Sequence, residues 1–411
     1  MTPSKELCYF IDTIAVGGAE RYLVDMIQGM RRRGYSVTVV CHHFPDLINA
    51  IQRETQGSCR VLSCRLPSIT RNKAIQAGLT LNRSARGLLN ILKVPGLLLY
   101  YWNTLVCFLK LWPVLKELHP DILHVSAGGY PAGESHRAAI LVGYLQKISR
   151  RVLTIHSHVL PPPIRYPERR IDRFIEGSLH AVITASEESK QSLVSNRGFR
   201  AEGVRVIYCG VDTTVPDSAP DPQALRRELG LPEQGTLIGA IGALDPGKGY
   251  RTLIDAVSRL DRARHLWSLA VIGSGASQMA LQRQIQGLGL QDRVFLLGYR
   301  EKAQRYMPAF TILGFSSNRY ECVPYTIKDA MLAGVPVVST DVGGTSEAIQ
   351  NEATGLLVPC EDPQAMANAF ERLITDAKLA GRLTTQAKER ARHLFSLEDM
   401  VLMTEMTYRA V

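Results

Sequence analysis

Leu7-Cys8-Tyr9-Phe10-Ile11-Asp12-Thr13, followed by Gly17-Gly18-Ala19-Glu20, is the stretch on which the fold turns. A short apolar run ends at a double glycine, and the residues after it change period. Tyr22, Leu23, Met26, Ile27 and Met30 recur at helical spacing through Arg33, and Gly34 stands where a helix C′ residue belongs. The short, β-branched Val37–Cys41 comes next. Strand, tight turn, helix and strand within about 35 residues form a βαβ unit, which implies a parallel sheet.

The same alternation recurs outward from this unit. Ile122–Ser126, Arg151–His156, Ala181–Thr184 and Val204–Cys209 read as further strands. A second series, Leu237–Ile241, Trp267–Ile272, Val294–Leu297, Ile312–Phe315 and Val335–Ser339, is nearly continuous in apolar residues, as strands buried on both faces are. Helices are predicted over Arg251–Leu260, Ala276–Leu288 and Tyr325–Ala333, and the chain after Pro363 reads as amphipathic helix to Val411. The polar, Pro-rich Asp212–Pro222 is expected to link two domains. The fold class is therefore α/β, with two doubly wound, Rossmann-like parallel-sheet domains facing across a cleft. Ligands of such sheets bind outside the carboxyl ends of the strands, so the site is expected between the domains.

Composition agrees with a large core-forming protein. The 411 residues are 45% hydrophobic and 21% charged, which excludes disorder as the main state. The 33 glycines and 21 prolines are scattered, which excludes collagen. The eight cysteines make no C-x-x-C pair and no zinc spacing, so a reducing compartment is expected. No secretory pattern follows Met1, and the longest near-apolar stretch, Val94–Leu109, falls short of the ~20 residues of a spanning helix.

Charge is distributed unevenly. The net charge is +10, yet residues 1–210 hold 27 basic side chains against 15 acidic ones. Residues 55–116 contain nine basic side chains, from Arg60 to Lys116, and no acidic one. A one-signed stretch calls for an anionic partner or a structural reason.

Several segments carry residues suited to chemistry. Gly17-Gly18 turns from strand into helix, where free N–H groups suit a phosphate or a sugar hydroxyl, or serve only a tight turn. Gly242-Ala243-Leu244-Asp245-Pro246-Gly247-Lys248-Gly249 follows the first strand of the second series and sets Lys248 where a diphosphate would lie, although the spacing is not that of a Walker loop. In Arg319-Tyr320-Glu321-Cys322-Val323-Pro324, the proline marks a helix start, so Glu321 belongs to the preceding loop and Asp329 to the first turns of the helix. On one continuous helix those carboxylates would stand ~12 Å apart along the axis. A glycosidase pair stands ~5–9.5 Å apart, which argues against that chemistry. His156 ends a strand where the cleft is expected, as a ligand contact or as a satisfied structural histidine.

In order along the chain, these segments resemble the retaining glycosyltransferases of group 1, which adopt the GT-B fold. The segments are Gly17–Glu20, His156, Ile207–Asp212, Gly242–Gly249, Val271–Ala276, Phe295–Tyr299 and Glu321 through Val342–Glu347. The resemblance covers nearly the whole length. It implies an acceptor-side domain over 1–210, with 55–116 as a candidate membrane-contacting segment, and a nucleotide-sugar domain over 211–390. A C-terminal helix over 391–411 would pack back on the first domain.

The resemblance also implies site roles. Lys248 would hold the diphosphate, Glu321 would contact the transferred sugar and His156 would lie close to it, and these three form the expected catalytic set. Gly17, Gly18, Gly242, Tyr299, Arg300 and Asp329 are the expected substrate-binding residues, with Asp329 at the ribose and the backbone of Tyr299 and Arg300 at the base. Glu134 joins them by position, because Tyr130–Arg137 follows another strand end in the basic half and is expected to be an acceptor-side loop. No metal and no cofactor is implied beyond a UDP- or GDP-linked sugar as co-substrate. Two departures stand out. Ala243 occupies a position where the family usually has arginine, and Asp329 replaces the usual glutamate. A lost cation beside a diphosphate costs ~1–3 kcal/mol unless Arg251, Arg300 or Lys328 replaces it.

The basic segment then acquires a use. Leu88–Leu92, Leu97–Trp102 and Leu105–Trp112 lie among Arg83, Arg86, Lys93, Lys110 and Lys116, a pattern suited to a helix on an anionic bilayer or to a core helix with solvated flanks. No nucleic-acid-binding motif accompanies the charge. The expected function is transfer of a hexose to a lipid-linked glycan of a surface polysaccharide, by a cytoplasmic protein peripheral on the inner membrane face. The alternatives are a catalytically degenerate GT-B partner subunit that binds nucleotide or glycan, and a nucleotide-sugar epimerase.

Overall fold

The structure, a computed structural model, describes residues 5–13, 17–67, 86–131, 133–162, 165–213, 221–319 and 321–410, with backbone alone at 86–98 and 165–167. It divides into two compact units, Met1–Ile207 with Val401–Val411, and Tyr208–Met400. Most of the sequence-predicted linker, 214–220, lies outside the described residues, and the division falls at Ile207 and Tyr208.

The first unit holds β1 (Glu6–Ile11), β2 (Ser36–His42), β3 (Arg60–Cys64), β4 (Ile122–Ala127), β5 (Arg150–Ile155), β6 (Ala181–Thr184) and β7 (Val204–Val206). They form one sheet in the order β3-β2-β1-β4-β5-β6-β7. Every pairing is parallel, with Leu7 opposite both Val37 and Ile122. Helices α1 (Gly18–Arg32), α2 (Pro45–Glu54), α3 (Arg86–Leu118), α4 (Glu134–Leu145), α5 (Arg165–Ser178) and α6 (Glu187–Ser192) supply the crossovers. The 33-residue α3 unites what the sequence shows as three apolar pieces. Its Cys107, Leu111 and Leu115, four residues apart, are fully buried in one cluster with Phe10, Leu123, Val125 and Leu153 of the sheet.

The second unit holds β8 (Thr236–Ile241), β9 (Trp267–Ile272), β10 (Val294–Leu296), β11 (Ile312–Phe315), β12 (Val337–Thr340) and β13 (Leu356–Val358), in the order β10-β9-β8-β11-β12-β13 and again all parallel. Its helices are α7 (Ala224–Glu228), α8 (Tyr250–Ser258), α9 (Gln278–Gly287), α10 (Tyr325–Ala333), α11 (Thr345–Ala348), α12 (Pro363–Thr375), α13 (Ala377–Leu394) and the start of α14 (Leu397–Arg409). Ile238, Leu269 and Val271 pack into one apolar layer with Phe370, and Leu237, Ala270 and Ile272 into the other with Ile327. A sheet covered on both faces has no polar side, hence the unbroken apolar runs.

The end of α14 belongs to the first unit. There Tyr408 Oη lies 3.1 Å from Tyr9 Oη and 2.5 Å from His124 Nδ1, while Thr154 Oγ1 meets His124 Nε2 at 2.6 Å. Burial pushes the His124 imidazole down to about 3, with His156 nearby as a smaller cause. His124 is therefore a neutral structural histidine.

Candidate active site

Each sheet reverses its strand order once, between β1 and β4 in the first unit and between β8 and β11 in the second. Open α/β sheets bind ligands at such switch points, outside the carboxyl ends of the strands. In the second unit, the loops that leave β8 and β11 there are Gly242–Gly249 and Ser316–Pro324.

Hydrogen bonds to backbone carbonyls zip these loops together. Asn318 N donates to Gly247 O at 3.0 Å, Ser317 Oγ to Gly247 O at 2.9 Å and Ser316 Oγ to Lys248 O at 2.9 Å. Gly249 has φ +65°, and a Cβ there would stand 1.8 Å from Ser316 O, so no other residue fits without moving one of the loops. A third loop closes on the second, with Gly344 N donating to Glu321 O at 2.8 Å.

The result is a polar centre on two side chains 73 residues apart. Lys248 Nζ donates to Glu321 Oε1 at 2.6 Å, and Ser317 Oγ lies 2.7 Å from the same oxygen. Among the described residues both contacts fall on Oε1, which leaves Glu321 Oε2 able to accept from a hydroxyl. Lys248 is 35% exposed and Glu321 16%, so both remain open to a ligand. Beneath them Tyr250 is buried, and burial, reinforced by Glu321 and Asp245, holds its phenol well above the ordinary range. Ser317 was not evident from the sequence. The available signal was a serine pair at the end of an apolar strand, four residues before a candidate carboxylate.

The structure also locates the other expected residues. Pro324 caps α10, Glu321 lies in the loop before it and the half-buried Asp329 lies within the helix, as the sequence indicates. Tyr299 follows β10 and is 69% exposed. Arg300 forms a two-toothed ion pair with Glu228, and its guanidinium sits 4.9 Å over the Tyr306 ring. Lys328 is fully buried, with Nζ donating to Cys209 O at 2.6 Å and lying 4.0 Å over the Tyr325 ring. Both cations are engaged elsewhere, which corrects the expectation that either replaces an arginine at position 243.

In the first unit, His156 leaves β5 with Nε2 2.8 Å from Ser126 Oγ, and the Tyr22 ring lies 4.2 Å away. Gly17 caps α1 and is exposed, with Gly18 next to it. Glu134 departs from expectation. It opens α4 rather than lying in a loop, and it is 0% exposed. An acidic residue in a first helical turn meets the positive end of the helix dipole, which accounts for its place there. Arg137, expected in the same loop, is buried against Glu168 at 2.9 Å and Asp172 at 3.5 Å.

Among the described residues, no three His, Cys, Asp or Glu side chains stand together as a metal group, and no helix is long and apolar enough to cross a membrane.

Two all-parallel sheets, each with its polar loops at the switch point, define the GT-B class of glycosyltransferase folds. The crystal structures of Anabaena Alr3699/HepE in complex with UDP and with UDP-glucose superpose with TM-scores of 0.73 and 0.72, at 23% and 22% identity, over 99% of this chain and 100% of theirs. The family description "Glycosyltransferase Family 4" matches residues 16–215, and "Glycosyl transferases group 1" matches residues 221–390. The chain belongs to this glycosyltransferase family. It is 25% identical to the alpha-D-kanosaminyltransferase of Streptomyces kanamyceticus over 83% of this chain and 92% of that one. It is 30% identical to the lipopolysaccharide core biosynthesis glycosyltransferase LpsE of Rhizobium meliloti over 50% of this chain and 57% of that one.

Proposed function

We propose that the protein is a retaining hexosyltransferase that takes a UDP- or GDP-linked hexose and delivers it to a lipid-linked glycan acceptor in surface-polysaccharide synthesis. The observation that carries the reading is the Lys248–Glu321 pair at the switch point of the second sheet. A diphosphate seated on the Gly242–Gly249 loop draws Lys248 toward its negative charge, and Glu321, released from part of that contact, accepts from the sugar's hydroxyls. Gly17 and Gly18 offer backbone N–H groups at the start of α1, and His156, oriented by Ser126, presents its ring at a strand end against Tyr22 of the same helix. The neighbours solved with UDP and UDP-glucose support the donor class, and the lipopolysaccharide relative supports the acceptor class.

The step balances without a protein nucleophile. The acceptor oxygen bonds to the anomeric carbon as the bond from that carbon to the phosphate oxygen breaks on the same face. The electron pair passes to the diphosphate, whose oxygen takes the acceptor's proton. Lys248 stabilises that developing charge, which is worth most in the transition state.

The membrane part of the reading is supported by α3. Leu99, Trp102, Leu105 and Leu109 lie on the side of the helix away from Cys107, Leu111 and Leu115, and they are 47–61% exposed. A helix that is apolar on its core face and again on its outer face, with Lys110 and Lys116 exposed beside it, suits an anionic lipid surface. Arg83 and the side chains of Arg86 and Lys93 lie outside the described residues.

Ala243 and Asp329 favour one second reading, a partner subunit that binds nucleotide without turnover. The deciding experiment offers the purified chain a panel of UDP- and GDP-hexoses with and without a glycolipid acceptor. Transfer with the donor's anomeric configuration is expected. Inversion or acceptor-free epimerisation would contradict the proposal, and nucleotide binding without transfer across the panel would select the partner subunit.

A further inference from the structure

The loop after β8 carries one cation, Lys248, where the family resemblance implies two. Ala243 leaves the second place vacant, and Arg300 and Lys328 are committed to Glu228 and to the Cys209 carbonyl. Arg319 is not committed. It is exposed, and among the described residues no ion pair or hydrogen bond engages its guanidinium. Its side chain crosses the Lys248 loop. A Cβ on Gly247 would stand 2.4 Å from Arg319 Cδ and 3.0 Å from its Cγ and Nε.

Two hydrogen bonds to the Gly247 carbonyl set that position. Asn318 N donates to Gly247 O at 3.0 Å, and Ser317 Oγ donates to the same carbonyl. Two residues beyond Arg319, Glu321 holds Lys248 at 2.6 Å. One short loop thus brings an unpaired guanidinium to the residue before Lys248. The guanidinium fork matches phosphate oxygens in a way an ammonium does not.

We propose that Arg319 is a donor-binding residue, supplying from the loop after β11 the second cation for the donor's diphosphate, in place of the side chain missing at position 243. Gly247 is glycine because the arginine's methylenes pass over it. The inference rests on the donor site proposed above.

The test titrates the full chain with UDP and with inorganic pyrophosphate. Arg319→Ala should weaken both by about 10-fold to 100-fold, the loss expected for one charge-assisted contact. Arg319→Lys should recover only part of the loss. Adding Ala243→Arg to Arg319→Ala should restore most of the affinity, which a merely structural role for Arg319 would not allow. Unchanged affinity in Arg319→Ala, with a loss in Lys248→Ala, overturns this inference and leaves the donor site standing. A loss in Arg251→Ala but not in Arg319→Ala also overturns it. Unchanged affinity in both Lys248→Ala and Arg319→Ala overturns the donor site itself.

Discussion

Gly17 and Gly249 occupy the same topological place, each capping the helix that follows the first strand of its sheet. Gly249 has φ +65° and touches the backbone of the neighbouring loop, with Ser316 O 1.8 Å from where a Cβ would sit. Gly17 has φ 169°, an extended conformation open to any residue, and among the described residues no atom beyond its chain neighbours lies within 4 Å of its Cβ position. The fold demands glycine at 249, whereas the described structure does not demand it at 17. The charges of the two units differ too. In the second unit loops press together around the partly exposed Lys248–Glu321 pair, whereas in the first Arg137 and Arg197 pair with Glu168 and Asp172 in the interior.

The largest effect is expected from that buried charge. Arg197, 1% exposed, holds both Glu168 and Asp172 at 3.3 Å, and its Nη2 has no hydrogen-bond partner among the described residues. Burial drives both carboxyls upward. Arg137 overcomes this at Glu168, which lies below its usual value, while Asp172 stays above its own. Arg197→Leu should lower unfolding free energy by about 3–5 kcal/mol in urea titration, because it strands buried carboxylates. A loss below about 1 kcal/mol would mean water already reaches the pair.

Next come the glycines. Gly249→Ala should cost at least ~1–2 kcal/mol from its left-handed backbone, with the clash added. Gly17→Ala should stay within about 0.5 kcal/mol in stability and lose transfer activity. A destabilised Gly17→Ala with intact activity would erase the contrast.

The surface stripe should matter only at a membrane. Trp102→Ser with Leu109→Ser should reduce binding to anionic vesicles by about tenfold or more in sedimentation, since buried apolar area is lost. Turnover with a soluble acceptor should not change, and unaltered vesicle binding would remove α3 from the membrane reading.

The last effect is a pH slope. The folded pKa of His124, about 3, lies below the ordinary ~6.5, so the unfolded chain takes up a proton that the folded chain refuses. This contribution is complete above about pH 6.5 and falls by up to ~1.4 kcal/mol per unit as pH drops toward 3. His124→Gln should flatten that slope in a series of thermal melts, and a slope equal to that of the wild type would assign it to other groups.

Local signals carried much of the fold. The run Leu7–Ile11, the helical spacing after Gly18 and Val37–Cys41 were enough for a parallel βαβ unit, and Pro324 located the start of α10 and put Glu321 ahead of it. Side-chain fates set by distant contacts were not legible. Lys328 looks like any helix lysine until the Cys209 carbonyl, 119 residues away, takes its charge. Glu134 reads as a loop residue because Gly128, Gly129, Pro131 and Gly133 precede it, and only the packing of α4 buries it. Arg319 is one exposed arginine among many until bonds between residues about 70 apart lay it across Gly247. The apolar runs of α3 fit a bilayer helix or a core helix alike, and only the structure shows that Leu99, Trp102, Leu105 and Leu109 stay exposed.

The central claim is that Lys248, held by Glu321, grips the donor's diphosphate, and calorimetric titration of UDP into the wild-type chain and Lys248→Ala tests it directly. The wild type should bind, and the substitution should weaken binding by about 10-fold to 150-fold with the fold intact by circular dichroism. Equal affinity in the two proteins would contradict the account.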